Sequence, residues 1–325
     1  MSRIDSNVNS QAVELISEVD QQKFTAETFL NAIRPSNKIW IEDDGTPGKW
    51  VYRGQRNAQW KLLPSAHRKR DNNQLRTLID RMEELKLIFI DEQLGSKPKS
   101  LYHWCGAEIS AIVEFCNEAN FIGLPVASIS VENPTVINQL QSIVRNLTYF
   151  SSDKLPVDAA GLAQHHGIPT RLLDWTRDPL IAAGHAAGIC QIEEDTSSPD
   201  NAPDFALWAL RVDTSSFVRD SKDCLFNSVR FVFPSNFANP FLFAQSGLFT
   251  LTPYSNQHYV EHEEWPDLES IMKRSDAKRV MLKKLVLPGT EVHKLKELIQ
   301  LEGYSLARLM PTHDNVATLV KSGWN

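Results

Sequence analysis

Apolar residues recur at two periods along this chain. Five short runs, at 50–55, 171–175, 205–212, 231–234 and 278–288, have the length and apolar, β-branched or aromatic character of strands. Other stretches carry apolar residues at helical spacing. Val13, Ile16 and Val19 predict a helix over 12–21, and Phe29 with Ile33 predicts one over 26–33 that Pro35 stops. Leu75, Leu78, Ile79, Met82 and Leu85 share a face within 73–94, and further helices are expected at 107–119 and at 136–150. Val292, Leu295, Leu298 and Ile299 predict a helix over 291–302 closed by Gly303, with a last helix around 314–321. The two element types follow no repeating order and no internal repeat is present. The expected fold is therefore α+β: a central, mostly antiparallel sheet lining a cleft and flanked by helices. One domain is expected over 26–325, with a helical insertion at about 73–150, preceded by a flexible or helical extension over 1–25.

Composition narrows the picture only a little. The chain has 325 residues, of which 42% are hydrophobic, enough to bury a sizeable core. A formal net charge of -6 gives no overall basic bias, and the short run His67, Arg68, Lys69 and Arg70 reads as a solvated surface. Cys105, Cys116, Cys190 and Cys224 are scattered without a CxxC pair, which argues against a zinc knuckle or a disulfide scaffold. The polar start lacks a secretory apolar stretch, and no apolar run approaches the ~20 residues that span a bilayer. A cytoplasmic protein without a membrane partner is expected.

Polar chemistry is densest at 164–176. Gln164, His165 and His166 precede a break at Gly167 and Pro169; Arg171, Asp174, Trp175 and Thr176 follow on a short strand, and Asp178-Pro179 opens a small-residue helix. A loop, a strand and a helix N-terminus are the expected order, and that N-terminus is a candidate anion site. Elsewhere, Arg53 beside Gly54 at a strand end suits an oxyanion, and its alternative partner is Asp174. Gln245-Ser246 interrupts an apolar run in the manner of a bulge where a ligand meets backbone. Three uses of these residues are open. Arg53 and the helix N-terminus would hold phosphates, with Trp175 stacking on a ring and Gln245 orienting a ribose. A hydrolase or nuclease would use His165, His166 and Asp174. A non-catalytic nucleotide or nucleic-acid binding module would use the same surfaces. With no HExxH, HxH or Cys cluster, no metal is expected.

Several segments resemble one family. Tyr52-Arg53-Gly54-Gln55, Gln164-His165-His166-Gly167 through Leu172-Leu173-Asp174-Trp175-Thr176, Asn239-Pro240 with Gln245-Ser246-Gly247-Leu248-Phe249, and 304–311 look like the FRG domain, over roughly 25 to 320. Tyr52 stands where the signature has Phe, Phe241 where the family has Arg, and Met310-Pro311-Thr312-His313 where it tends to have Phe-Pro-Asp. The family is widespread in bacteria and phages. The motif order also resembles the Arg, Ser-Thr-Ser and Gln/Glu motifs of mono-ADP-ribosyltransferases. That second resemblance implies NAD as cofactor, Arg53 on its diphosphate, Thr176 near the middle motif and Gln245 at the position of the catalytic carboxylate. Since Gln245 carries no charge, Asp174 is the other acid to consider. The implied catalytic set is Arg53, His166, Asp174 and Gln245. The implied cofactor-binding set is Arg53, Gly54, Gln164, His165, Arg171, Trp175 and Thr176. A toxin or phage-defence effector is implied, with a nucleotide substrate, a protein or nucleic-acid acceptor, and an antitoxin or defence partner.

Overall fold

The computed structural model describes residues 13–16, 18–19, 22–42, 44–69, 74–84, 99–126, 157–190, 202–212, 229–233, 240–273 and 282–324. The expected helix at 136–150 lies outside them. Nine strands are described: β1 Val13–Ile16, β2 Glu18–Val19, β3 Gln22–Lys23, β4 Trp50–Gln55, β5 Leu173–Thr176, β6 Phe205–Arg211, β7 Arg230–Val232, β8 Gly247–Leu251 and β9 Leu282–Leu287. The described helices are α1 Ala26–Ile33, α2 Arg76–Glu84, α3 Lys99–Phe121, α4 Val157–His165, α5 Pro179–Ala186, α6 Pro240–Ala244, α7 Ser255–His262, α8 Leu268–Lys273, α9 Val292–Leu301, α10 Leu306–Leu309 and α11 His313–Ser322. None of the described helices is long and apolar enough to cross a membrane.

The fold is α+β. Seven strands form one sheet in the order β1-β9-β6-β4-β5-β8-β7, antiparallel at every pairing except the parallel β1–β9 edge. That edge corrects an expectation. Helical spacing predicts a helix over 12–21, but Val13–Ile16 is a strand registered on Leu282–Leu285. Val13 and Leu15 also alternate around Glu14 at the period of a strand, and the open backbone of β9 decides between the two readings.

Strand alternation divides the sheet residues between two cores. Tyr52, Leu207, Ala209 and Leu285 pack under α1, α5 and α9, with Phe29, Ala183 and Ile299 among their neighbours. Val51, Trp175, Trp208 and Leu248 face the other way, against Ile271 and Met272 of α8. A third apolar group joins α3 and α4 to β8 through Ile112, Ala160 and Phe249. Helix α5 crosses close above β4. A Cβ placed on Gly54 would lie 2.2 Å from the carbonyl oxygen of Ala182 and 2.6 Å from the Cβ of Ala186. Gly54 is therefore required for helix packing: the close approach that its missing side chain allows is that of the α5 backbone.

Candidate active site

A cavity of about 360 Å³ opens between α5 and the middle of the sheet. Its walls come from β4 (Tyr52, Arg53, Gly54), the end of α4 (Gln164, His165), β5 (Asp174, Thr176), α5 (Ile181, Ala182, His185) and the turn between α6 and β8 (Gln245, Gly247). The volume lies at the lower end of the range of about 300–1,000 Å³ typical of small-molecule sites. Gln164 and His165 stand at the C-terminal end of a helix, where a loop is expected from the sequence. Gln245 and Ser246 form a helix-to-strand turn in place of a bulge, with Ser246 in the left-handed region at φ +49.

The central charge pair is made by Arg53 and Asp174. Strands β4 and β5 pair only at Tyr52 with Thr176, and beyond that point Arg53 joins them. Its Nη1 donates to the Asp174 carbonyl at 2.9 Å and lies 2.5 Å from the carboxylate. Arg53 is largely enclosed, whereas the Asp174 side chain is 61% exposed. Partial desolvation within the cavity raises the Asp174 carboxyl, but the charge and hydrogen bond of Arg53 override this and hold its pKa below the ordinary value. Gln164 donates to the same carboxylate at 3.2 Å and is itself held by the Thr170 hydroxyl. Arg68 lies near both members of the pair; burial, then the Arg53 charge, lower its pKa.

Two imidazoles share the cavity. His165 stacks on Phe241 with ring centroids 4.5 Å apart, and burial, with help from His166 and His185, pushes its pKa down to about 4. His185, in the last turn of α5, also has its pKa lowered by burial, opposed by Asp174. Among the described residues its buried Nε2 has no hydrogen-bond partner, and neither has the buried Arg53 Nε. Both rings are neutral near pH 7.

Other expected site residues are placed differently. Arg171 is 2% exposed and outside the cavity walls; it donates through Nε and Nη2 to Glu108 at 2.9 and 2.6 Å, and through Nη1 to Asn256 at 3.1 Å. It belongs to the core and is not available to a cofactor. His166 is exposed and stacks on Phe115 at 5.7 Å, outside the cavity, because the residue after His165 leaves the helix toward Gly167. Trp175 borders the cavity, but its indole is 3% exposed and donates to Thr250 at 2.9 Å, so it offers no face for stacking. The Thr176 hydroxyl donates to the Gln245 carbonyl at 2.5 Å and accepts from the Asp178 amide at 3.0 Å. The Gln245 side-chain amide donates to the Leu309 carbonyl at 3.1 Å, tying its turn to α10.

The N-terminus of α5 is not an open anion site. Asp178 Oδ1 accepts from the amides of Leu180 and Ile181 at 2.9 and 3.4 Å, and Oδ2 accepts from the Tyr304 hydroxyl at 2.7 Å. Among the described residues no group of three His, Cys, Asp or Glu stands close enough together to hold a metal ion. His185 was missed from the sequence because it falls inside an apolar, small-residue helix. The signal for it was its place one turn beyond Ile181 and Ala182.

These elements define an α+β protein with a polar, histidine-bearing cavity where one helix crosses its sheet. The chain carries an FRG domain: the family model of that name matches residues 122–189, a span from the end of α3 through α4, β5 and α5. The match covers the central motif and does not include the segments at 52–55, 239–249 and 304–311. No curated protein and no solved structure matches the chain.

Proposed function

We propose that this FRG-domain protein binds NAD and breaks the bond between nicotinamide and its ribose, as an ADP-ribosyltransferase-like enzyme acting in the cytoplasm as a toxin or phage-defence effector. The observation that carries the reading is the meeting of Arg53, Asp174 and Gln245, from three distant parts of the chain, at one cavity. Glycosidic cleavage passes through an oxocarbenium-like centre, which an adjacent ionised carboxylate stabilises. Asp174, kept ionised by Arg53, supplies the charge that Gln245 lacks. The Arg53 guanidinium at the cavity wall suits a diphosphate. A cavity of about 360 Å³ suits the nicotinamide riboside end better than a whole dinucleotide.

The test is incubation of the full chain with labelled NAD and a cell extract. Release of nicotinamide and transfer of label to a protein or nucleic acid are expected, with both lost in Arg53→Ala and reduced about 10²-fold or more in Asp174→Asn. NAD binding without turnover would favour a non-catalytic module instead. The two neutral imidazoles near Asp174 favour a second reading, hydrolysis of a nucleic-acid phosphodiester by His165 and His185. Cleavage of labelled RNA or DNA with NAD untouched would select it.

A further inference from the structure

We propose that His185 is the group that takes the proton from a hydroxyl-bearing acceptor in this cavity, water being the smallest such acceptor. This rests on the NAD-cleaving reading above and assigns it a residue that no sequence motif singles out. In the step, the bond between the ribose C1′ and the nicotinamide nitrogen breaks, and its electron pair passes to the ring nitrogen. Nicotinamide leaves as a neutral molecule. The acceptor oxygen forms the new bond to C1′, and its proton passes to His185 Nε2.

The geometry excludes the other polar walls one at a time. Asp174 accepts from Arg53 and Gln164, an arrangement that stabilises it as a carboxylate and makes it a poor proton acceptor. His165 lies against the ring of Phe241, and Gln245 and Thr176 are committed to backbone carbonyls. The Cys190 thiol follows α5, and burial pushes it up to about 11, far from thiolate formation at neutral pH. His185 alone among the imidazoles at the cavity wall has a buried ring nitrogen with no hydrogen-bond partner among the described residues. An unpaired buried nitrogen costs stability, and a ligand or acceptor hydroxyl in the cavity would satisfy it. The titratable groups facing it are Asp174 from β5, His165 from α4, Arg53 and Tyr52 from β4, and Cys190. Burial keeps the His185 ring neutral near pH 7, with a lone pair to accept the proton.

The test follows nicotinamide release from NAD by the full chain over roughly pH 5 to 9, with water as acceptor. His185→Gln should lower kcat about 10²-fold with KM little changed, and should remove the acidic limb of the pH profile. His293→Gln, on the exposed surface of α9 and outside the cavity, should match the wild type. Melting curves confirm that His185→Gln folds; if it does not, His185→Phe takes its place. Independently, NAD should shift the His185 ring resonances in the wild type and leave those of His293 unmoved. If His185→Gln keeps the wild-type rate and acidic limb while release still depends on Arg53 and Asp174, His185 is wrong and the NAD reading stands. No release by the wild type overturns both.

Discussion

Arg171 and Arg53 each hold a carboxylate, yet their surroundings give the two pairs different weight. Arg171 and Glu108 are both almost wholly buried, and removing one partner strands the other charge in the core. Glu108→Ala is expected to cost about 3–5 kcal/mol in chemical denaturation, and to act on folding before it acts on any ligand. The Arg53–Asp174 pair opens onto the cavity, and solvent screening reduces its worth to about 1 kcal/mol or less. Because the folded Asp174 pKa lies below its ordinary value, that contribution is present above the ordinary carboxylate range and is lost as pH falls through the folded value. Urea titrations of the wild type and Asp174→Asn should therefore differ slightly at neutral pH and converge in acid. The main consequence of Asp174→Asn should appear in activity. Arg53 and Arg171 look alike in the sequence, since each sits on or beside a predicted strand in a polar motif; only the position of Glu108 on α3 tells them apart.

Helix α5 is the element that makes the site, since it roofs the cavity with Ile181, Ala182 and His185 and is seated on β4 by Gly54. Gly54→Ala puts a methyl group into the α5 backbone, and the helix must lift. Overpacking of this kind costs about 1–3 kcal/mol or more. Gly167 makes a useful contrast. Its φ is +89, but a Cβ there meets nothing within 4 Å. Gly167→Ala should therefore carry only the conformational cost of about 1–2 kcal/mol. Thermal melts should rank the two variants, and hydrogen exchange should show α5 loosened by Gly54→Ala alone. The helix end at Gly303, the strand at β4 and the helix α9 are legible from local sequence because caps, breaks and apolar periods are local. The seating of α5 on β4 is not, because Gly54 and Ala182 are far apart along the chain.

At the scale of the whole molecule, His67, His165 and His185, buried or partly buried and with lowered pKa, make folding sensitive to acid. His67 stacks on Trp265 at 3.9 Å, and burial followed by the Arg171 charge pushes its pKa well below the ordinary value. His165 is pushed down to about 4, and His185 is also lowered. Each must gain a proton on unfolding at mildly acidic pH. Their contribution is fully present above the ordinary histidine value of about 6.5 and is lost progressively as pH falls from there toward the folded pKa. Each site should contribute a slope approaching about 1.4 kcal/mol per pH unit between its two pKa values. Denaturation midpoints measured from about pH 7.5 down to 5 should fall steadily, and replacing His165 with Gln should flatten the curve.

Sequence alone determined the strand and helix periods of most described elements, the α+β class and the central motif that the FRG family model matches. These follow from side-chain pattern and turn chemistry, which act over a few residues. Tertiary structure decided which polar residues share a cavity. It drew Arg53, Asp174, Gln164 and His165 together and added His185. It sent Arg171 to Glu108 and left His166 outside. It also turned 13–16 into a strand on the edge of β9. The physical reason is the same in each case: a side chain's partner is fixed by strand register and by how closely helices approach the sheet, and both depend on contacts between distant parts of the chain.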